Sequence, residues 1–359
     1  MQERANLLVV GGGASGLAFA LCYARLGLSV RIIEKRPSRS LVQKATGVAQ
    51  GAWHQLAEFG ITEKIIGDAF PMTQFVFHDN AKLVAQIKVP PVNGEPPAHL
   101  YPQAKLEEAM EEALASYGVS IEYGRQFVGV VDEGDKAKVS IVHNDETECM
   151  EVDWLIAADG SRSDVRSFLR IPFVGRDYPE DWSVAEIRSE QWPTEIQAQL
   201  FLQSDGVGFF LSRPSHGVVQ GILNAKGAAD KLCNTFPDAT LLYERQFKVS
   251  LRRVLSPRHG RVWLIGDAAH VQSPVGGQGV NLAIWDGVTL ARALADGRTD
   301  VERTLRRRAQ SVLRFTDFDY RMLSAKSRMI RYPRNLYWGF AARYPILAAW
   351  FFKLISGKW

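Results

Sequence analysis

The first 34 residues contain two apolar runs separated by one helical pattern. The run LLVV (7–10) is continuously apolar, as in a buried strand, and apolar positions then recur at helical spacing over 15–26. A second apolar run covers 29–33 and ends at Glu34. Because the connections are short, this pattern predicts a strand, a helix and a second, parallel strand.

The middle of the chain changes to alternating apolar and polar positions. Two strands are predicted within 72–90 around a turn at Asp79 and Asn80, and the alternation over 172–225 predicts an antiparallel sheet. The segments WLIAADG and RVWLIGDAAH are buried-strand patterns that return to the first layer. Other strands are predicted near 119–131 and 137–143, helices at 45–67, 104–117 and 239–256, and a mostly helical remainder from 280.

Glycines with fixed spacing follow the first strand. Gly11, Gly13 and Gly16 form a GxGxxG pattern that allows a tight turn, close approach of a pyrophosphate and close packing of helix on strand. The following helix begins near Ala14 and Ser15 and presents its N–H groups to phosphates. Glu34, followed by Lys35, ends the second strand and is placed to accept hydrogen bonds from a ribose. The unit therefore predicts dinucleotide binding.

Two further motifs lie at strand ends later in the chain. AADGSRSDVR carries Asp159, and IGDAAHVQSPVGGQGVN carries Asp267, Pro274, Gly277 and Gly279. Asp267 is placed to accept a hydrogen bond from the sugar-alcohol chain of a flavin. A helix that begins near Gly279 directs its N–H groups, with those of Val280 and Asn281, at the pyrimidine edge of the flavin ring. Together with the glycine fingerprint, the motifs favour FAD over NAD.

Composition narrows the class of protein. The 359 residues are 46% hydrophobic and 23% charged with a net charge of +4, which fits a globular enzyme and gives no case for nucleic acid binding. The three cysteines and seven histidines show no metal-ligand spacing, so we expect no metal site. No secretory signal is recognisable and the longest apolar stretch, YPILAAWFFKLI, is too short to span a bilayer. We therefore expect a soluble, cytoplasmic protein.

The three motifs, in this order and over about residues 5–300, resemble those of the single-component flavoprotein aromatic hydroxylases, the p-hydroxybenzoate hydroxylase-like family. The resemblance implies an α/β fold: a discontinuous Rossmann-like FAD-binding domain (1–71, 99–171 and 258–300), an inserted antiparallel-sheet substrate domain (72–98 and 172–257) and a C-terminal helical segment (301–359). It also implies FAD contacts from Lys44, Gln103 and Phe127. The family usually has arginine at the positions of Lys44 and Gln103, and glutamine at the second resembles the polyketide and rifampicin hydroxylase branch.

The resemblance implies a monooxygenase. FAD would be reduced by NADH or NADPH and would react with O2 to a C4a-hydroperoxyflavin that oxidises an aromatic or polycyclic natural-product-like small molecule. Substrate contacts are expected from alternate positions on the antiparallel strands, and these are Gln199, Phe201, Phe209, Leu211, Arg213, Gln220 and Asn224. No general base is assigned.

Two alternatives to the monooxygenase stay open. One is a flavin-dependent reductase or dehydrogenase of a prenyl-like substrate, and the other is a flavin-binding partner without catalysis. The aromatic and basic tail NLYWGFAARYPILAAWFFKLISGKW either packs on the protein or contacts a membrane or a partner protein. The sequence does not define an oligomeric state.

Overall fold

The computed structural model of the chain describes residues 7–40, 46–193 and 195–357. Its strands, numbered along the chain, are β1 (Leu7–Val10), β2 (Val30–Glu34), β3 (Gly47–Ala49), β4 (Phe70–Pro71), β5 (Gln74–Asp79), β6 (Lys82–Lys88), β7 (Ala98–Leu100), β8 (Ile121–Tyr123), β9 (Gln126–Asp132), β10 (Ala137–His143), β11 (Glu146–Val152), β12 (Trp154–Ala157), β13 (Val174–Arg188), β14 (Ala198–Leu202), β15 (Gly208–Ser215), β16 (Val218–Leu223), β17 (Thr240–Arg253), β18 (Arg258–His259), β19 (Val262–Leu264) and β20 (His270–Val271). The helices are α1 (Ala14–Arg25), α2 (Gln50–Ala57), α3 (Ile61–Ile65), α4 (Gln103–Ser116), α5 (Asp164–Phe168), α6 (Ala228–Thr235), α7 (Gly279–Ala295), α8 (Glu302–Leu323), α9 (Arg328–Arg343) and α10 (Pro345–Ile355).

A six-stranded sheet forms the first layer, in the order β18-β19-β12-β1-β2-β8. Strand β1 pairs in parallel with β12 and β2, and its four residues are all buried, which explains the continuous apolar run. Helices α1 and α7 cross closely beside the sheet. A Cβ on Gly287 of α7 would lie 2.6 Å from the Ser15 carbonyl oxygen, so this crossing requires glycine. The α/β layer that the sequence predicts is confirmed.

An eight-stranded sheet forms the second layer, in the order β20-β17-β13-β16-β15-β14-β5-β6. Its pairs are antiparallel except for β14 and β5, which run parallel. One face packs on α6 through Phe209 and Leu211. The opposite face carries Ser212, whose Oγ lies 3.4 Å from Thr46 Oγ1 at the start of β3, and this face therefore looks toward the first layer.

The predicted helix at 239–256 is wrong, because these residues form the 14-residue strand β17. Its sequence TLLYERQFKVSLRR contains many good helix formers, but β17 pairs with β13 from Thr240 to Arg253. Long-range pairing here overrides local preference. The predicted helix at 45–67 is also corrected, since the segment contains β3 followed by the short helices α2 and α3.

The C-terminal helices pack on the outer strands of the second layer. Helix α9 lies against β6, and Asp79 at the end of β5 accepts a hydrogen bond from Arg331 at 2.7 Å and also contacts Arg334 and Asn335. Arg334 and Asp79 are buried, so this is an internal ion-pair network. Across the described ranges we find no helix with the length and apolar content needed to cross a membrane.

Candidate functional site

The carboxyl ends of four neighbouring parallel strands bring the three motifs together. Gly11 N–H donates to Ile33 O, Ala158 N–H to Val10 O and Ile265 N–H to Ala157 O, so β2, β1, β12 and β19 end side by side. Such an edge is where open α/β sheets bind ligands. Glu34, Asp159 and Asp267 all follow these strand ends.

The three glycines of the turn differ in the space around them. Gly11 and Gly16 are in close contact with protein backbone, whereas Gly13 is open. Gly11 has φ +114°, and a Cβ on Gly16 would lie 2.0 Å from the Gly11 carbonyl oxygen, so these two glycines allow the strand-to-helix packing. A Cβ on Gly13 would meet no atom closer than Glu107 Oε1 at 4.0 Å. Gly13 therefore faces open space at the start of α1.

Glu34, the last residue of β2, is held in place by hydrogen bonds from Gly12 and Arg36. Its carboxylate accepts hydrogen bonds from Gly12 N–H at 3.0 Å and from the backbone and guanidinium of Arg36. Burial alone would raise the pKa of Glu34, but the hydrogen bonds from Arg36 and Gly12 outweigh it and hold the pKa below its usual value. Arg36, which sequence reasoning missed, thus keeps Glu34 ionised.

The starts of α1 and α4 meet at a second buried carboxylate. Ala14 N–H donates to Glu107 Oε1 at 3.3 Å, and Gln103 Nε2 donates to the same oxygen at 2.8 Å. Glu107 lies 93 positions from Ala14 in the chain, and nothing in its local sequence distinguishes it from the other glutamates of α4. Gln103 therefore lies at the glycine turn, although its side chain already has a protein partner.

The second motif forms a capped turn. Asp159 Oδ2 accepts hydrogen bonds from the N–H groups of Asp164 and Val165, while its buried Oδ1 has no partner among the described residues. Burial raises the pKa of Asp159, and the hydrogen bonds offset this only in part. Arg166 donates to Ala268 O at 2.9 Å and so ties the second motif to the third.

The third motif is positioned from behind by a buried ion pair. Asp286 of α7 accepts hydrogen bonds from Gly266 N–H at 3.1 Å and from His270 Nε2 at 2.6 Å. Burial acts to lower the pKa of His270, but the adjacent Asp286 carboxylate outweighs this effect and raises it. Because the turn is fixed on this side, the exposed Asp267 points away from the core.

The loop before α7 is fixed by two side-chain amides. Gly276 and Gly277 have φ of +83° and +62°, and Gln278 donates to Gly276 O and Ile355 O. Asn281 accepts from Ala49 N–H at 2.8 Å and donates to Gly47 O and Gly277 O. Asn281 was expected to contact the cofactor, but its amide is engaged with protein, so it joins β3 to this loop.

Several predicted contacts have other neighbours in the structure. Phe127 lies in a buried hydrophobic cluster with its ring against Phe168, and its expected contact with the cofactor stays a prediction. Lys35 pairs with Asp164 at 2.9 Å at the edge of the site. Ser15 and Val280 are buried, and Ser15 packs on Gly266. Lys44 lies outside the described residues.

A cleft with about 440 Å³ of empty space, which is open to solvent, lies between the eight-stranded sheet and the loop before α7. Its lining is mostly apolar, and the principal residues are Trp182, Leu200, Phe210, Ile222, Pro274 and Tyr320. Asn224 adds a polar side chain, which donates to Gly206 O and accepts from Gly208 N–H. A concave site with a mostly apolar lining and a few polar groups is typical of small-molecule binding.

The expected substrate contacts divide between the two faces of this sheet. Gln220 and Asn224 lie on the face of the cleft. Gln199, Phe201, Phe209 and Leu211 lie on the opposite face, since their cross-strand partners alternate with those of Leu200 and Phe210. These four residues therefore lie on the face opposite this cleft, and their expected contact with a substrate stays a prediction. Arg213 packs over the Phe70 ring beside β4, outside the cleft lining.

A row of polar residues crosses the cleft-side face of the sheet. Ser212, Gln220, Glu186 and Tyr243 are cross-strand neighbours, and Gln220 Nε2 donates to Glu186 Oε1 at 2.9 Å. Burial raises the pKa of Glu186 to about 7, and the hydrogen bond from Gln220 offsets this only in part. Gln220 Oε1 is buried and has no partner in the described part of the chain. An acceptor without a donor is costly in a protein interior.

Sequence comparison identifies the family. A family model described as an FAD binding domain matches residues 4–231 and 225–302. The chain belongs to this FAD-binding family. Its residues fit the cofactor, because Gly13 and Gly277 face open space, Asp159 Oδ1 has no partner and Asp267 is exposed at the same sheet edge.

Curated relatives of this FAD-binding protein are monooxygenases. The 6-methylpretetramide 4-monooxygenase of Streptomyces rimosus is 26% identical over 312 residues, which cover 81% of this chain and 56% of the relative. The pentachlorophenol 4-monooxygenase of Sphingobium chlorophenolicum is 27% identical over 318 residues, which cover 81% of this chain and 58% of the relative. The chain thus spans less than two thirds of the length of these relatives.

A solved structure shows the same fold over nearly the whole chain. The p-nitrophenol 4-monooxygenase PnpA from Pseudomonas putida DLL-E4 superposes with a TM-score of 0.87 and covers 98% of both chains. At 20% identity this similarity establishes the fold of the FAD-binding protein. The predicted α/β architecture with an antiparallel second layer is confirmed.

Proposed function

We propose that the chain is an FAD-dependent monooxygenase that hydroxylates an aromatic or polycyclic small molecule, using NADH or NADPH and O2. One oxygen atom of O2 enters the substrate and the other leaves as water, with two electrons from the nicotinamide. The observation that carries the proposal is the apolar cleft beside Pro274, on the loop that connects the FAD-binding sheet edge to α7. Monooxygenases acting on phenolic and polyketide compounds among the relatives support it.

When bound, FAD supplies the transfer of electrons from NAD(P)H to O2. The protein's part is to hold the cofactor and the substrate and to exclude water, which would divert the oxidant. We propose that Glu34, Asp159, Asp267 and the N–H groups at the start of α1 hold FAD. The Arg36 and Asp286 contacts keep two of these carboxylates in position.

The substrate is proposed to lie on the cleft face of the sheet. Trp182, Phe210 and Tyr320 supply aromatic surface for a flat ring system. A phenolic hydroxyl would donate to Gln220 Oε1, which accepts no hydrogen bond from the residues that the structure describes. Glu186 then fixes the Gln220 amide through the hydrogen bond from Nε2. We further propose that the enzyme acts in the cytoplasm on small molecules and without nucleic acid.

One assay tests this proposal. FAD-loaded protein is mixed with NADH or NADPH under air, with and without phenol, 1-naphthol and a hydroxyanthraquinone. Stimulated NAD(P)H oxidation, with one atom of ¹⁸O from ¹⁸O2 in the product, supports it. A product that gains two hydrogen atoms without O2 would show a reductase. A flavin that no nicotinamide reduces would show a binding protein without catalysis.

A further inference from the structure

Helices α9 and α10 expose an apolar stripe on the side that faces away from the protein. Met329, Tyr332, Leu336 and Phe340 recur at spacings of three and four along α9, and Met329 is 87% exposed. On α10, Ile346, Leu347 and Trp350 are exposed in the same manner. We define these seven residues as the outer stripe.

The opposite sides of the same helices already provide their packing. Trp338, Ala341, Ala348 and Phe352 are buried in one hydrophobic cluster with strands β5, β6 and β14. The attachment of the helices therefore rests mainly on this buried side and not on the outer stripe. Nine of the large hydrophobic residues exposed in the described structure lie between 329 and 350. A contiguous exposed apolar surface of this kind marks an interaction site.

The charge around the outer stripe has one sign. The 40 residues from Tyr320 to Trp359 contain eight lysines and arginines and no aspartate or glutamate. Arg331 and Arg334 are paired with Asp79. Lys326, Arg328, Arg343 and Lys353 are exposed, and none of them forms an ion pair with another described residue. These four cations lie on α9 and α10 or just before α9, the helices that carry the apolar stripe.

We propose that the outer stripe binds the surface of an anionic lipid bilayer, with α9 and α10 lying in the plane of the interface. Trp and Tyr prefer the headgroup level, and basic residues near an anionic surface are attracted to it electrostatically. A second copy of the chain is a poor occupant, because a two-fold contact would place like charges together. At 16 and 11 residues, the helices are too short to span the bilayer.

The position of the outer stripe relates it to the cleft. Leu200, Leu202, Phe210 and Leu323 line the cleft and belong to the same hydrophobic cluster as Trp338 and Phe352. The bound bilayer would lie across the helix pair from the cleft. A membrane would thus bring apolar molecules close to the cleft, but the lipid binding itself does not depend on the proposed reaction.

Vesicle flotation with the full chain, loaded with FAD, tests the proposal. One set of vesicles is pure phosphatidylcholine and the other contains about 30 mol% phosphatidylglycerol. We expect partitioning at least ~10-fold stronger on the anionic vesicles, with most of the difference lost at about 0.5 M NaCl because salt screens the attraction. The variants are Phe340→Ser with Trp350→Ser, and Arg343→Gln with Lys353→Gln.

Each double variant should lose about 10-fold in partitioning, while keeping the FAD content and thermal midpoint of the parent. Val131→Ser is the matched control, since Val131 is 60% exposed on β9, away from the outer stripe. The proposal is overturned if anionic vesicles are not bound, or if binding survives both double variants. It is also overturned if light scattering shows a dimer that Trp350→Ser abolishes, because the stripe would then be a protein interface.

Discussion

At the scale of single residues, the site depends on side chains that hold other side chains. Arg36 fixes Glu34, Asp286 fixes the turn that carries Asp267, and Asn281 joins β3 to the loop before α7. The strand-end acids and the glycines follow a recognisable motif in the sequence. Their supports do not, because Asp286 and Asn281 are interpretable only once α7 is placed behind the turn.

Substitutions of the two glycines at the start of α1 are expected to affect different properties, namely stability for Gly16 and FAD binding for Gly13. Gly16→Ala places a methyl group 2.0 Å from the Gly11 carbonyl oxygen, so the thermal midpoint of the FAD-free protein should fall by several degrees. Gly13→Ala meets no atom closer than 4.0 Å, so it should leave that midpoint unchanged and weaken FAD binding. Thermal unfolding and FAD titration measure both effects. Equal midpoints for the two variants would contradict this assignment.

Asp267 is expected to contribute to FAD affinity. Asp267→Asn keeps the shape of the side chain and removes a charged acceptor, so affinity for FAD should fall by about 10- to 100-fold. Fluorescence quenching of free FAD measures the change. Asp296→Asn, at the exposed end of α7, is the control and should leave affinity at the parent value. An unaltered affinity in Asp267→Asn would remove this residue from the proposed site.

At the scale of elements, the sequence predicts the first layer better than the second. Strands β1, β2 and β12 are buried on both sides, so their apolar runs identify them regardless of phase. The central strands of the second layer carry apolar residues on both faces, which pack on α6 on one side and line the cleft on the other. The alternation of apolar and polar positions therefore predicts the strands but not which of their faces borders the cleft, and Gln199 and Phe209 lie on the opposite face.

The polar row on β13 and β16 should make stability dependent on pH. Glu186 titrates near 7 in the folded chain and near its ordinary value of 4.5 when unfolded. Its contribution is present below about pH 4.5 and is lost as the pH rises to about 7, by at most ~3 kcal/mol. Glu186→Gln should remove this loss. The free energy of unfolding of the variant should therefore rise relative to that of the parent as the pH increases from about 4.5 to about 7. Urea unfolding at several pH values tests it, and parallel profiles would contradict the assignment.

At the scale of the whole molecule, a buried ion-pair network contributes to joining α9 to the second layer. Asp79 faces both Arg331 and Arg334 across the contact between β5 and α9. Such a contact brings together residues about 250 positions apart, and the sequence alone gave no reason to pair them. The helical character of the C-terminal segment was predicted, but its attachment was not.

Removing this acid should loosen the whole helical segment. Asp79→Ala leaves two arginines beside a buried, uncompensated site, which typically costs about 3–5 kcal/mol in the free energy of unfolding. Glu112→Ala, which breaks an exposed pair with Lys64, should cost less than about 1 kcal/mol and serves as the control. The urea midpoint reports both. Similar midpoints for the two variants would show that the network carries little of the attachment.

The order of strands in the first sheet also has a kinetic consequence. The chain leaves that sheet after β12, builds most of the second layer, and returns with β18 and β19, of which β19 pairs with β12 and precedes the turn with Asp267. Contacts between residues so distant in sequence form slowly, so we expect this return to be late in folding. FAD cannot make its full set of contacts before the turn with Asp267 is in place. FAD should therefore bind only the fully folded protein and stabilise it. In stopped-flow experiments we expect it to slow unfolding and to leave the rate of folding unchanged.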